Sequence, residues 1–132
     1  MRRTSFALFL MLFLAACSPQ RPQMPAALAA MPQAERDELL QGRSLYHIRG
    51  CAACHGIAGH GNGDRASRLV PPPMDFRLTN AYLQGSSQEA MAATIRTGLT
   101  NVKSAMPKNP FLSLEERMAI SRYIIHMREN YK

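Results

Sequence analysis

Five consecutive residues constrain this chain more than any others: Cys51-Ala52-Ala53-Cys54-His55. Two thiols separated by two residues, with an imidazole directly after them, make a dense cluster of soft and borderline donors. Three chemistries use such a cluster. A redox dithiol needs a thioredoxin-like βαβ pattern around it, and the sequence offers no alternating strand. A structural zinc site wants four protein ligands in two matched pairs, and no second knuckle occurs. The third is covalent attachment of haem. Two intervening residues match the separation of the two vinyl groups, and the adjoining His then lies under the iron. The motif occurs once, which implies one haem c and argues against a dihaem peroxidase.

Thioether attachment belongs to exported proteins, and the N-terminus carries an export pattern. Arg2 and Arg3 precede an almost wholly apolar run from Phe6 to Ala16. A basic head, a short apolar stretch and small residues at its end form a signal peptide. A membrane span needs roughly 20 apolar residues, so this run is too short. Leu14-Ala15-Ala16-Cys17 resembles the lipobox of bacterial lipoproteins. That resemblance implies cleavage before Cys17 and acylation of its thiol, which tethers the mature chain to a membrane. The expected address is the periplasmic side of a bacterial membrane, inner or outer.

Residues 17–32 then read as an anchor and linker, because Pro19, Pro22, Pro25 and Pro32 favour extended backbone. At roughly 3 Å per residue, about fourteen residues reach on the order of 40 Å. A turn of helix over Ala26 to Ala30 shortens that reach. Loss of Arg2 and Arg3 takes the sixteen Lys and Arg to fourteen against nine acids, a net +5. This excess suits an acidic partner or anionic lipid, or simply solubility. The basic residues are spread out and no nucleic-acid motif is present, so nucleic acid is not an expected partner.

The folded domain is placed at residues 33–132. A first helix is expected over Ala34 to Ile48, with Glu35, Asp37 and Glu38 in its first turns, where they suit the helix dipole. From Gly50 to Gly63 the density of glycine predicts loop and turn. Pro71-Pro72-Pro73 predicts an extended strap, and Asn80 to Leu83 a short helical turn. Ser86-x-x-Glu89 and Ser113-x-x-Glu116 are two capping boxes, the first helix stopping at Gly98 and the second running to about Asn130. Ile120, Tyr123, Ile124 and Met127 fall at i, i+3, i+4 and i+7, one buried stripe. The expected class is all-α, about three to five helices with long loops. About 100 residues with so few regular elements bury little core of their own, so they need a large group to wrap around.

A haem that carries electrons usually has a sixth iron ligand, and the chain has nine Met. Met1 and Met11 leave with the signal, and Met24 and Met31 lie in the linker. Met91, Met118 and Met127 sit in helices, where packing is the default. Met106 is favoured: it lies in the loop between the two capped helices and is stiffened by Pro107. Met74, His47, His60 and His126 are the alternatives.

Over roughly Gln41 to Arg128 the chain resembles a small bacterial class I c-type cytochrome. Gly42-Arg43-Ser44-Leu45-Tyr46 ahead of the Cys motif, Ser104-Ala105-Met106-Pro107, and Ile120-Ser121-Arg122-Tyr123-Ile124 carry the likeness. The resemblance implies a cytochrome c fold in which the first and last helices cross closely, Gly42 allowing the approach and Tyr46, Ile120 and Tyr123 packing there. It also implies covalent haem on Cys51 and Cys54, with His55 as proximal and Met106 as distal iron ligand. A Pro carbonyl, Pro71 or Pro72 here, is expected to accept the other N–H of His55, although Asp64 follows Gly63 where many relatives carry Pro. The implied role is single-electron transfer rather than catalysis, between a quinol-oxidising complex or dehydrogenase and a terminal oxidase. Arg43, Arg49, Arg65 and Arg68 are candidates for steering such partners. A fixed haem subunit of a membrane complex and a gas-binding or redox-sensing haem are the rival readings.

Overall fold

The computed structural model describes residues 25–99 and 106–131. The signal stretch, the lipidation candidate Cys17, and Ser104 and Ala105 lie outside the described residues. The chain divides into two units, residues 1–30 and 31–132. Within the first, the alanine run forms one helical turn, α1 (Ala26–Ala29), whose Pro25 carbonyl accepts from the amides of Leu28 and Ala29.

The second unit contains four helices among the described residues and no strand: α2 (Gln33–Ile48), α3 (Cys51–His55), α4 (Gln88–Thr97) and α5 (Leu114–Asn130). Single 3-10 turns lie at Ala66–Arg68 and Thr79–Ala81. The second falls one residue ahead of the expected turn. None of the described helices is long and apolar enough to cross a membrane.

Each long helix starts where its local chemistry directs. At α5 the capping box is complete: the Ser113 amide donates to the Glu116 carboxylate at 2.8 Å, and the Glu116 amide donates to Ser113 Oγ at 3.1 Å. At α4 the expected box does not form. Ser87, not Ser86, is the cap, and its Oγ accepts from Ala90 at 3.2 Å. Glu89 therefore sits one position too early to reach back. The carbonyl of Ser86 accepts instead from Arg128 Nη1 at 3.2 Å, a tertiary contact outside the reach of a local pattern.

Gly50 to Gly63 was expected to be loop throughout, yet its first five residues after Gly50 are helical. Gly50, at φ +79°, turns the chain off α2, and the crowded glycines begin only at Gly56. One turn of helix fits between them.

The core lies where α5 packs on α2 and α4. Ile120, Tyr123, Ile124 and Met127 are all buried, as their spacing predicts. Each such side chain contributes roughly 1.5–3 kcal/mol by leaving water. At the crossing of α2 and α5, a Cβ on Gly42 would fall 1.9 Å from the Ala119 carbonyl oxygen. The backbones touch, and the rings of Tyr46 and Tyr123 meet edge to face at 5.4 Å beside them. Gly42→Ala should lower stability by about 1–3 kcal/mol, because a rigid carbonyl must move. A urea titration of the holoprotein measures this, and an unchanged midpoint would mean that the helices do not cross here.

Candidate functional site

The motif forms α3, and a one-turn helix leaves most of its carbonyls without partners of its own. The following loop supplies them. Amides of Gly56, Gly61, Gly63 and Arg65 donate to the carbonyls of Ala52, His55, Cys54 and Ala53 at 2.8–3.0 Å. Gly63 runs so close that a Cβ would sit 2.4 Å from the Ala53 oxygen. The glycine-rich turn thus completes the helix that carries the thiols.

Cys51 and Cys54 stand at i and i+3, hence on one face of α3. Both are half-buried and neither is in a disulfide. Burial pushes the Cys51 thiol up to about 11, so the thiol is protonated at neutral pH. His55 ends the helix, and its ring is fixed from two sides. Nδ1 lies 3.2 Å from the carbonyl oxygen of Met74, a contact that requires Nδ1 to carry the proton and donate. Phe76 stacks on the ring at 4.5 Å and 20°. Burial lowers the His55 pKa below its ordinary value, so the neutral ring presents its lone pair at Nε2.

The acceptor for Nδ1 was expected among the prolines. Pro71 and Pro72 are displaced from that role because the strap is held further along. The Phe76 amide donates to the Gly59 carbonyl at 2.9 Å, and this register brings Met74, not a proline, over the ring. Asp75 and Arg77 fasten the same segment with a forked ion pair at 2.6–3.1 Å. The guanidinium holds the Asp75 carboxyl down to about 2.

Tyr46 connects this site to the core. Its hydroxyl donates to the Gly56 carbonyl at 2.7 Å, and its ring lies 6.5 Å from Phe76. The family resemblance implies only the helix crossing for Tyr46. A buried Tyr needs an acceptor for its hydroxyl, and that was the available signal for the second role.

Met106 belongs to a different element, the segment from α4 to α5. Its carbonyl accepts from Leu99 at 3.4 Å, and the Asn109 amide donates to the Ile95 carbonyl at 3.0 Å. The segment is thereby laid against the end of α4. Met74 has its main chain committed to the His55 ring. His47 and His126 lie in the aromatic cluster of the crossing, with ring centroids 6.4 and 6.5 Å from Tyr123. Nε2 of His60 is buried with no hydrogen-bond partner among the described residues.

The family profile described as "Cytochrome C oxidase, cbb3-type, subunit III" matches residues 37–124. The chain belongs to this family. Membership makes it a c-type cytochrome, which implies haem c and haem-based electron transfer. The all-helical fold of the described residues is that of a small cytochrome c. Among solved structures, the chain is similar to one from the "reducing HAO-like protein complex" of Kuenenia stuttgartiensis, at 25% identity and a TM-score of 0.61. The match covers 83% of this chain and 52% of that one, so it spans about half the length of the relative. No curated protein matches the sequence.

The residues present fit the implied group. Two thiols share one face of α3, and the next residue is an imidazole whose Nδ1 is engaged, which leaves Nε2 as the nitrogen that would ligate a metal.

Proposed function

We propose that this protein is a single-electron carrier holding one haem c through Cys51 and Cys54, with His55 and Met106 as the two iron ligands. The observation that carries the reading is the geometry of α3 and the strap. Both thiols lie on one face, and the Met74 carbonyl fixes the tautomer of the adjoining His55. A bound haem would supply reversible ferric–ferrous chemistry. The protein's own contribution is positional. Cys51 and Cys54 fix the ring, and the Met74 carbonyl and Phe76 hold the His55 imidazole in one orientation. Met106 would supply a thioether to the iron, a ligand that raises the potential. His55 and Met106 together would hold the iron through two protein side chains, which suits electron transfer rather than substrate binding at the metal.

Partners are redox proteins: a quinol-oxidising complex or dehydrogenase as donor and a terminal oxidase as acceptor. Association is weak and steered by charge. Arg43, Arg65 and Arg68 are exposed and suited to this. Arg49 is partly neutralised by Glu116 at 3.5 Å and contributes less. Acylated Cys17 keeps the domain on the periplasmic side of a membrane, and the Pro-rich stretch supplies its reach.

A second reading is favoured by the comparisons. The family is described as an oxidase subunit, and the structural relative comes from a protein complex. On this reading the chain is a fixed haem subunit that co-purifies with others in stoichiometric amount, whereas a free carrier is recovered alone.

Two measurements test the proposal. The ferric protein should show the weak red charge-transfer band of Met sulfur on iron, and Met106→Ala should abolish it. A wild-type spectrum without the band would mean an open or bis-His iron and would favour a sensor or low-potential role. Cys17→Ala should release the exported protein from membranes, and retention of the variant would count against lipidation.

A further inference from the structure

The buried face of α5 contains one residue that does not belong by polarity. Arg117 stands three positions before Ile120, in line with the apolar stripe, and is only 8% exposed. Among the described residues it makes no ion pair. A buried guanidinium without a counter-charge is costly, and its partners here are neutral carbonyls. Nη1 donates to Ala92 in the middle of α4 at 3.0 Å, a buried bond. Nε donates to the carbonyl of Ser113 at 3.2 Å.

Those two acceptors lie on either side of one segment. The chain leaves α4 after Thr97 and enters α5 at the Ser113 cap, and Met106 lies between. Leu112, just before the cap, is buried, while Asn109 is tied to Ile95 on α4. Arg117 therefore bonds α5 to the middle of α4 through Nη1 and braces its own N-cap turn through Nε, so the two helices that flank the Met106 segment are held together where that segment enters α5. Arg suits this because its donors are held in a rigid fork, which a flexible ammonium does not reproduce.

We propose that Arg117 is a positioning residue for the sixth iron ligand: by clamping α4 to the start of α5 it holds the Met106 segment in the register that puts its sulfur on the iron. This rests on Met106 being that ligand. A thioether ligand is held in place only as well as its supporting segment, and a functional group displaced by about 0.5 Å loses its effect. Loosening the clamp should therefore show first as easier displacement of Met106 by an added ligand.

The probe is imidazole, titrated into the ferric holoprotein while the red band is followed. Arg117→Met keeps the volume and removes the charge and both donors. It should bind imidazole about tenfold more tightly than wild type, the loss expected for hydrogen bonds from a charged group, with a weakened red band before any imidazole is added. Arg117→Lys, which keeps a cation and a donor, should fall between the two and carries the test if the Met variant does not fold. Gly42→Ala loosens the α2–α5 crossing at Ala119 but leaves both bonds of Arg117 in place, and should raise imidazole affinity clearly less than Arg117→Met does. Wild-type-like imidazole affinity in the Arg117 variants, with the band present in wild type, would overturn the clamp and leave Met106 as ligand. An equal rise in Gly42→Ala would also overturn it, since general loosening then suffices. Absence of the band from wild type would remove the Met106 reading and the clamp together.

Discussion

The hydrogen bond from Tyr46 to the Gly56 carbonyl joins the two halves of this domain. On one side the Tyr46 ring is wholly buried at the crossing of α2 and α5, where Gly42 lets the backbones touch. On the other its hydroxyl reaches the end of the helix that carries the cysteines, at 2.7 Å. Burial raises the Tyr46 pKa, so the hydroxyl stays a neutral donor. The thiols and the imidazole are thus referenced to the most rigid part of the core rather than to a free loop. A site needs that support, because the geometry of ligands is only as good as the packing behind them.

The rest of the site is a set of backbone satisfactions arranged around one turn of helix. An isolated five-residue helix is unstable in water. α3 persists because Gly56, Gly61, Gly63 and Arg65 give their amides to its carbonyls, and because the strap at Phe76 is bonded to Gly59. The same strap delivers the Met74 carbonyl and the Phe76 ring to His55. Structure and ligand preparation are one network, with little apolar core spent on it.

What was legible in the sequence was what is local or repeated. The Ser113–Glu116 box lies within four residues, and the Ile120 stripe follows from helical period alone. Gly42, Tyr46 and Tyr123 were legible through resemblance, which encodes a crossing that no local rule contains. The failures were non-local. Local chemistry favours Ser86, which Glu89 would complete as a box, yet Ser87 is the cap and the Ser86 carbonyl accepts from the distant Arg128. The helix at Cys51–His55 depends on amides up to twelve residues from the carbonyls they serve, so glycine density misread it as loop. Met74 replaces the prolines because a bond between Phe76 and Gly59 sets the register. Arg117 was invisible because a charge in a helical pattern reads as a solvated face.

The central claim is that α3 fixes one haem covalently, and the most direct measurement is the mass of the exported protein after denaturation and acid extraction, followed by digestion. The account predicts a chain heavier by one haem, with the added mass on the peptide that contains Cys51 and Cys54. A chain that releases its haem on extraction, or carries none on that peptide, would contradict it.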